Sequence, residues 1–170
     1  MEEVIFREIK ESELSGLIKV ARDSIQADFP HYSSKVKEYL LSHDFDASII
    51  EQNFQRKIFI YWAAFLEEKI IGYLISLPPF GGVVLIIWLG VDKTYQHQGV
   101  GKKFIQEFSK WVIDQGAHAL HLFTVKDDLP FYEKLGFINA GSIEKSYYGS
   151  HDFYLYKILQ EPKEENFLRK

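Results

Sequence analysis

The chain has 170 residues, of which 46% are hydrophobic and 26% charged, with a formal net charge of −4. It is long enough for a full hydrophobic core, holds no run of the ~18 apolar residues a membrane span needs, and is not basic enough for general nucleic-acid binding. The absence of cysteine excludes disulfides, thiolate nucleophiles and cysteine-ligated metals.

Glu2, Glu3, Arg7 and Glu8 give the N-terminus neither the basic start nor the apolar core of a signal peptide, so a cytoplasmic location is expected. Val4 to Ile9 reads as a first strand. Leu14, Leu17, Ile18, Ala21 and Ile25 recur at helical spacing and predict a helix from Ser12 to Ile25, broken by Asp28-Phe29-Pro30-His31. A second helical region covers Ser34 to Gln55 with an interruption around Ser42 to Asp46. Lys57 to Leu66 and Ile70 to Leu77 form a predicted hairpin about Glu67-Glu68-Lys69.

After the turn Pro78 to Gly82 comes an apolar strand, Val83 to Val91. An amphipathic helix then runs from Gly101 to Gln115, with Phe104, Ile105, Phe108, Trp111 and Val112 on one face and Gly116 as its stop. Ala119 to Val125 is the next strand. A short helix capped by Asp127 or Asp128 carries Pro130 in its first turn and ends at Gly136. Ile138 to Lys145 and Phe153 to Leu159 complete the strands. Residues 1–160 are expected to form one domain, α/β in class, with a charged, frayed tail over 161–170.

The segment most telling of chemistry joins the Val83 to Val91 strand to the following helix: Gln96-His97-Gln98-Gly99-Val100-Gly101-Lys102. A strand–turn–helix of this kind offers backbone N–H groups and a positive dipole end to an anion such as a phosphate. The dinucleotide fingerprint fails because Phe104 stands at its third glycine. The P-loop fails at Gln96, where it needs glycine, and at Lys103, where it needs Ser or Thr. What remains is Gln-x-x-Gly-x-Gly, preceded by Val91 and Tyr95. Gly90, late in the strand, marks either a bulge or close backbone approach, or room for a bulky neighbour such as Trp88.

This pattern resembles the acetyl-coenzyme A signature of the GNAT superfamily of N-acetyltransferases. A second segment, Phe131-Tyr132-Glu133-Lys134-Leu135-Gly136-Phe137, is similar to that family's later motif. The resemblance is strongest from Val83 to Phe137 and implies a mixed, mostly antiparallel sheet of about seven strands flanked by helices. In it, a splayed parallel pair forms the cofactor cleft. It further implies that acetyl-coenzyme A is the co-substrate. Leu89, Gly90 and Val91 would meet its pantetheine arm and thioester. The turn Gln96, His97, Gln98, Gly99, Val100, Gly101 and Lys102 would hold its pyrophosphate. Tyr132 would be the acid that protonates the leaving thiolate. No metal is implied. His97 itself suits a solvent-exposed position.

A lysine acceptor of pKa ~10.4 is neutral in only about one molecule in 2,500 at pH 7, a penalty of roughly 4.6 kcal/mol. Some relatives relieve this with a glutamate on the central strand; here Leu85 stands there and the strand has no acid or histidine. His118 and His121, three apart, point to opposite faces of a strand and cannot chelate a metal together. No base is assigned. Phe29-Pro30-His31-Tyr32 and the Tyr147-Tyr148 pair resemble acceptor elements of protein N-terminal acetyltransferases, one or two residues short in spacing. Phe29, Tyr32 and Tyr148 are therefore the expected substrate contacts. The acceptor is a primary amine of a protein or peptide, or alternatively of a small molecule (polyamine, amino acid or antibiotic). A non-catalytic acyl-coenzyme A sensor is the alternative of another class. The protein is expected to act as a monomer or homodimer, without nucleic acid or membrane.

Overall fold

The computed structural model describes residues 3–168. Seven strands form one sheet: β1 (Val4–Glu8), β2 (Ile60–Leu66), β3 (Lys69–Ser76), β4 (Val83–Val91), β5 (Ala119–Thr124), β6 (Ile138–Ile143) and β7 (Asp152–Ile158). Their order is β1-β2-β3-β4-β5-β7-β6. The helices are α1 (Leu14–Asp28), α2 (Ser34–Ser42), α3 (Ala47–Gln55), α4 (Val100–Asp114), α5 (Leu129–Lys134) and a final turn, α6 (Glu164–Phe167). Among the described residues, no helix is long and apolar enough to cross a membrane. They group into two compact units, 3–76 with 88–104, and 77–87 with 105–168.

In the first unit β1, β2 and β3 run antiparallel, Val4 opposite Leu66 and Ile60 opposite Ser76. Residues 61–65 and 70–76 are buried without alternation, the mark of strands covered on both faces, and hence read as unbroken apolar runs. The helical repeat of α1 drives Leu17, Ala21 and Ile25 to zero exposure, packed in one core with Leu40, Phe45, Ile50 and Tyr73. Each fully buried aliphatic side chain of this kind contributes about 1.5–3 kcal/mol. The predicted interruption of the second helical region is a cap: the Asp46 carboxylate accepts from Ser48 N at 2.9 Å and opens α3. Strand β2 begins at Ile60, later than the Lys57 expected, because the chain first reverses through Lys57 at φ 53°.

In the second unit β4 and β5 are parallel from Val83 opposite Ala119 to Ile86 opposite Leu122, where the ladder ends. Strand β7 pairs antiparallel with β5 and with the fully exposed edge strand β6. The α4 residues Phe108 and Val112 are completely buried. Gly116, at φ 79°, terminates that helix: Gly116 N bonds Ile113 O at 2.9 Å and Ala117 N bonds Val112 O at 3.1 Å. The tail differs from expectation. Gln160 Nε2 donates to Ala117 O at 2.9 Å, and the Phe167 ring lies 5.6 Å from that of His118. Phe167 and Asn166, which lies against Gly116, dock this segment.

Candidate active site

The glycine turn is built from its ends inward. Asp92 N donates to Ile71 O (2.8 Å), fixing the exit of β4, and the Asp92 carboxylate caps the next turn through Thr94 N at 2.9 Å. That hydroxyl-and-amide cradle from Thr94 holds the Asp92 carboxyl below its usual range, with Lys69 adding to the effect. Gln96 then ties the turn down. Its Nε2 donates to Val91 O at 3.0 Å and to the Asp28 carboxylate at 3.1 Å, joining the end of β4 to the end of α1.

Beyond it the backbone turns left-handed twice, at His97 (φ 58°) and Gly99 (φ 85°). A Cβ at Gly99 would have nothing within 4 Å, so the glycine serves the backbone angle and an open approach rather than packing. Helical bonding starts with Lys103 N to Gly99 O at 3.0 Å, which leaves the amides of Gly99 to Lys102 as the donors of the first turn. His97, Gln98, Gly99 and Lys102 are exposed, as an anion site at a helix start requires.

Gly90 has its own explanation. A Cβ there would overlap the fully buried Tyr73 ring and lie 2.8 Å from Ser24 Oγ. The bulky neighbour is Tyr73, not Trp88. Trp88 instead packs edge-on to Phe29 at 5.5 Å, and Phe29 stacks on Tyr32 at 5.9 Å. Phe29 and Tyr32 thus belong to one half-buried aromatic cluster against the core of the first unit.

In the second unit the Phe131 to Phe137 segment is a helix end. Gly136, at φ 83°, donates to Glu133 O at 2.9 Å, and Phe137 N donates to Tyr132 O at 3.1 Å. This closing motif brings together the residue after the glycine and the residue five before it. Phe137 is accordingly buried and meets the Tyr132 ring at 5.5 Å, with Phe131 at 4.9 Å on Tyr132 as well. Lys157 Nζ secures the same end by donating to Leu135 O at 2.7 Å. The Tyr-x-x-x-Gly-Phe spacing is therefore a device for fixing one tyrosine. Asp128 stands at the cap position of α5, but its carboxylate makes no cap bond to the first turn.

The same unit holds a cavity of about 490 Å³, lined by Leu85, His121, Phe123, Ile143 and Tyr154 among others. Parallel pairing sets Leu85 beside His121, and antiparallel pairing sets Phe123 beside Tyr154. The Tyr154 hydroxyl and His121 Nδ1 share a hydrogen bond. Burial lowers the His121 pKa, and His118 adds a repulsive contribution in the same direction. Tyr147 meets Phe123 edge-on at 5.6 Å, and both Tyr147 and Tyr148, the latter at φ 56°, are exposed. Sequence reasoning weighs His121 only as a metal partner of His118. Its partner Tyr154 lies 33 residues away and is found only through strand register. Among the described residues no group of three or more His, Asp or Glu could hold a metal ion.

The family model for the acetyltransferase (GNAT) family matches residues 20–137. The chain belongs to the GNAT family. An uncharacterised N-acetyltransferase of Bacillus subtilis, YitH, is 29% identical over 151 residues, 87% of this chain. The chain spans 45% of that relative's length. Among solved structures, the PaiA N-acetyltransferase of Thermoplasma acidophilum, crystallised with coenzyme A, superimposes with a TM-score of 0.78 at 21% identity. It is covered over 99% of its length and 92% of this chain. The ribosomal-protein-S5-alanine acetyltransferase of Vibrio fischeri gives 0.71 at 18% identity, over 97% of its length and 96% of this one. The seven-stranded mixed sheet with its parallel β4–β5 pair is thus the GNAT fold. Both the glycine turn and, at its last residues, the Tyr132 helix fall inside the matched region.

Proposed function

We propose that this GNAT protein is an acetyl-coenzyme A-dependent N-acetyltransferase that passes the acetyl group directly to a primary amine of a protein or peptide. The observation that carries the donor half is the turn of Gln96 to Lys102: two left-handed residues, a glycine open on its Cβ side, and four first-turn amides at the head of α4. Such a concave row of donors suits a pyrophosphate. The co-substrate supplies an activated thioester. In this reading the backbone of Leu89, Gly90 and Val91 orients it, and Tyr132, clamped by Phe131 and Phe137, protonates the departing sulfur.

The acceptor half rests on the aromatic residues. Phe29, Tyr32 and Tyr148 contact the acceptor in this proposal, and the aromatic loops favour a peptide over a sugar or polyamine. A small-molecule amine is the second reading, and a non-catalytic coenzyme A sensor the third. Calorimetry with acetyl-coenzyme A should give micromolar affinity; no heat at millimolar ligand would sink the family-based activity. Thiol release over peptides with free N-termini, lysine peptides and small amines then separates the rest. Turnover of peptides supports the proposal, turnover of small amines alone supports the second reading, and none above background hydrolysis leaves the sensor.

A further inference from the structure

The central strand gives this chain no acid or histidine, yet one histidine stands next to the strand position concerned. His121 of β5 is the parallel-ladder partner of Leu85, lies half-buried in the cavity wall and is hydrogen-bonded through Nδ1 to Tyr154 of β7. Resting on the transferase reading above, we propose that this cavity receives the acceptor amine, that His121 is the base that takes its proton, and that Tyr154 positions the imidazole.

Three observations converge. The cavity is walled by apolar side chains, Leu85, Phe123 and Ile143, with the imidazole and the phenol as its polar edge. It fits an amine carried on an apolar frame. The titratable neighbours of His121 are Tyr154 and Tyr156 from β7 and His118 just ahead of β5. Facing it, β4 contributes Leu85 and the β6 lining is Ala140 to Ile143, neither with an ionisable group. No carboxylate is among these neighbours to raise the imidazole pKa, and burial beside His118 lowers it. The ring is therefore neutral at pH 7, as a base must be.

The step balances as follows. The imidazole takes one proton from the bound ammonium, the neutral nitrogen so formed bonds to the thioester carbonyl carbon, and the carbon–sulfur bond breaks. The second N–H proton passes to water, while the sulfur takes a proton from Tyr132, and both side chains re-equilibrate with water. The proton ends on the imidazole in either tautomer. It lands on Nε2 when Nδ1–H donates to Tyr154, or reaches Nδ1 through the Tyr154 hydroxyl when the tyrosine donates.

The test uses the full chain and the best acceptor from a panel of phenethylamine, spermidine and free-N-terminal peptides. His121→Gln should lower kcat by about 10²- to 10⁴-fold, with acetyl-coenzyme A affinity and thermal melting unchanged. Wild-type kcat should fall with decreasing pH along a limb below 6.5. In His121→Gln that limb should move up to the pKa of the bound amine, and imidazole should partly restore His121→Ala. Tyr154→Phe should lose less rate and shift the limb, which a packing role alone would not do. A His121→Gln protein with wild-type rate and limb overturns the base assignment while leaving the transferase standing. A wild-type protein that binds acetyl-coenzyme A yet acetylates no amine overturns the transferase, and the base with it. Should His121→Gln not fold, the wild-type profile decides: no limb below 6.5 overturns the proposal.

Discussion

At Gly90 the side chain is absent because another side chain needs the space. The hydrogen atom there lets the Tyr73 ring reach full burial, and burial in turn raises the Tyr73 pKa, keeping the phenol neutral. Gly90→Ala forces that ring or the strand to move and should cost about 1–3 kcal/mol, as overpacked cores do, read as a shifted urea midpoint with unchanged m-value. Tyr132 is different in kind, since its hydroxyl is not needed for the ring contacts with Phe131 and Phe137. Tyr132→Phe keeps those ring contacts and should therefore remain folded, as circular dichroism checks. It should lower kcat about 10²-fold, the weak end of general acid catalysis, because a thiolate leaves readily unaided. An unchanged rate would remove Tyr132 as the acid.

Between elements, single polar side chains act as ties. Gln96 links the end of β4 and the end of α1 through two hydrogen bonds, and Gln96→Ala should lower stability by about 1–2 kcal/mol. Acetyl-coenzyme A affinity should fall with it if the turn is the pyrophosphate site, which calorimetry on the variant measures. Arg7 on β1 and Glu13 ahead of α1 make a second tie, at 2.8 Å and 2.7 Å, reinforced by Lys10 N to the same carboxylate at 2.7 Å. The Arg7 hydrogen bond, with help from the Lys10 amide, brings the Glu13 pKa down to about 2. A carboxyl whose folded pKa is depressed stabilises the fold above its unfolded pKa and loses that contribution as pH falls. Wild-type stability should thus carry a Glu13 contribution of about 1 kcal/mol at neutral pH that fades between about 4.5 and 2. Glu13→Gln should remove the fading as well as the contribution; identical pH–stability curves for the two proteins would refute the assignment.

For the molecule as a whole, β4 is the strand that pairs parallel with its neighbour β5. The parallel ladder stops at Ile86, one residue before the boundary between the two compact units. If acetyl-coenzyme A binds the folded chain alone, a concentration of 100 times its Kd adds ~2.7 kcal/mol. That corresponds to a rise in Tm of roughly 5–10 °C for a chain of this length. Differential scanning calorimetry at several ligand concentrations checks both the size and the logarithmic dependence.

The order and type of the elements were legible because hydrophobic period is a local property. Val83–Val91 was readable to the residue, and the break between α2 and α3 was visible as a polar gap. The glycine turn was equally legible, since a strand, a Gln-x-x-Gly-x-Gly run and a helix are contiguous. The partner of Gly90, the docking of Phe167 and the clamp on Tyr132 needed packing to reveal them. So did the pairing of His121 with Tyr154, which joins residues distant in sequence through the register of β5 with β7. The sequence by itself determined the family and the glycine turn, because contiguous residues create both. The tertiary structure alone decided which histidine stands in the cavity beside Leu85 and Tyr154, because strand pairing, not spacing along the chain, brings those side chains together.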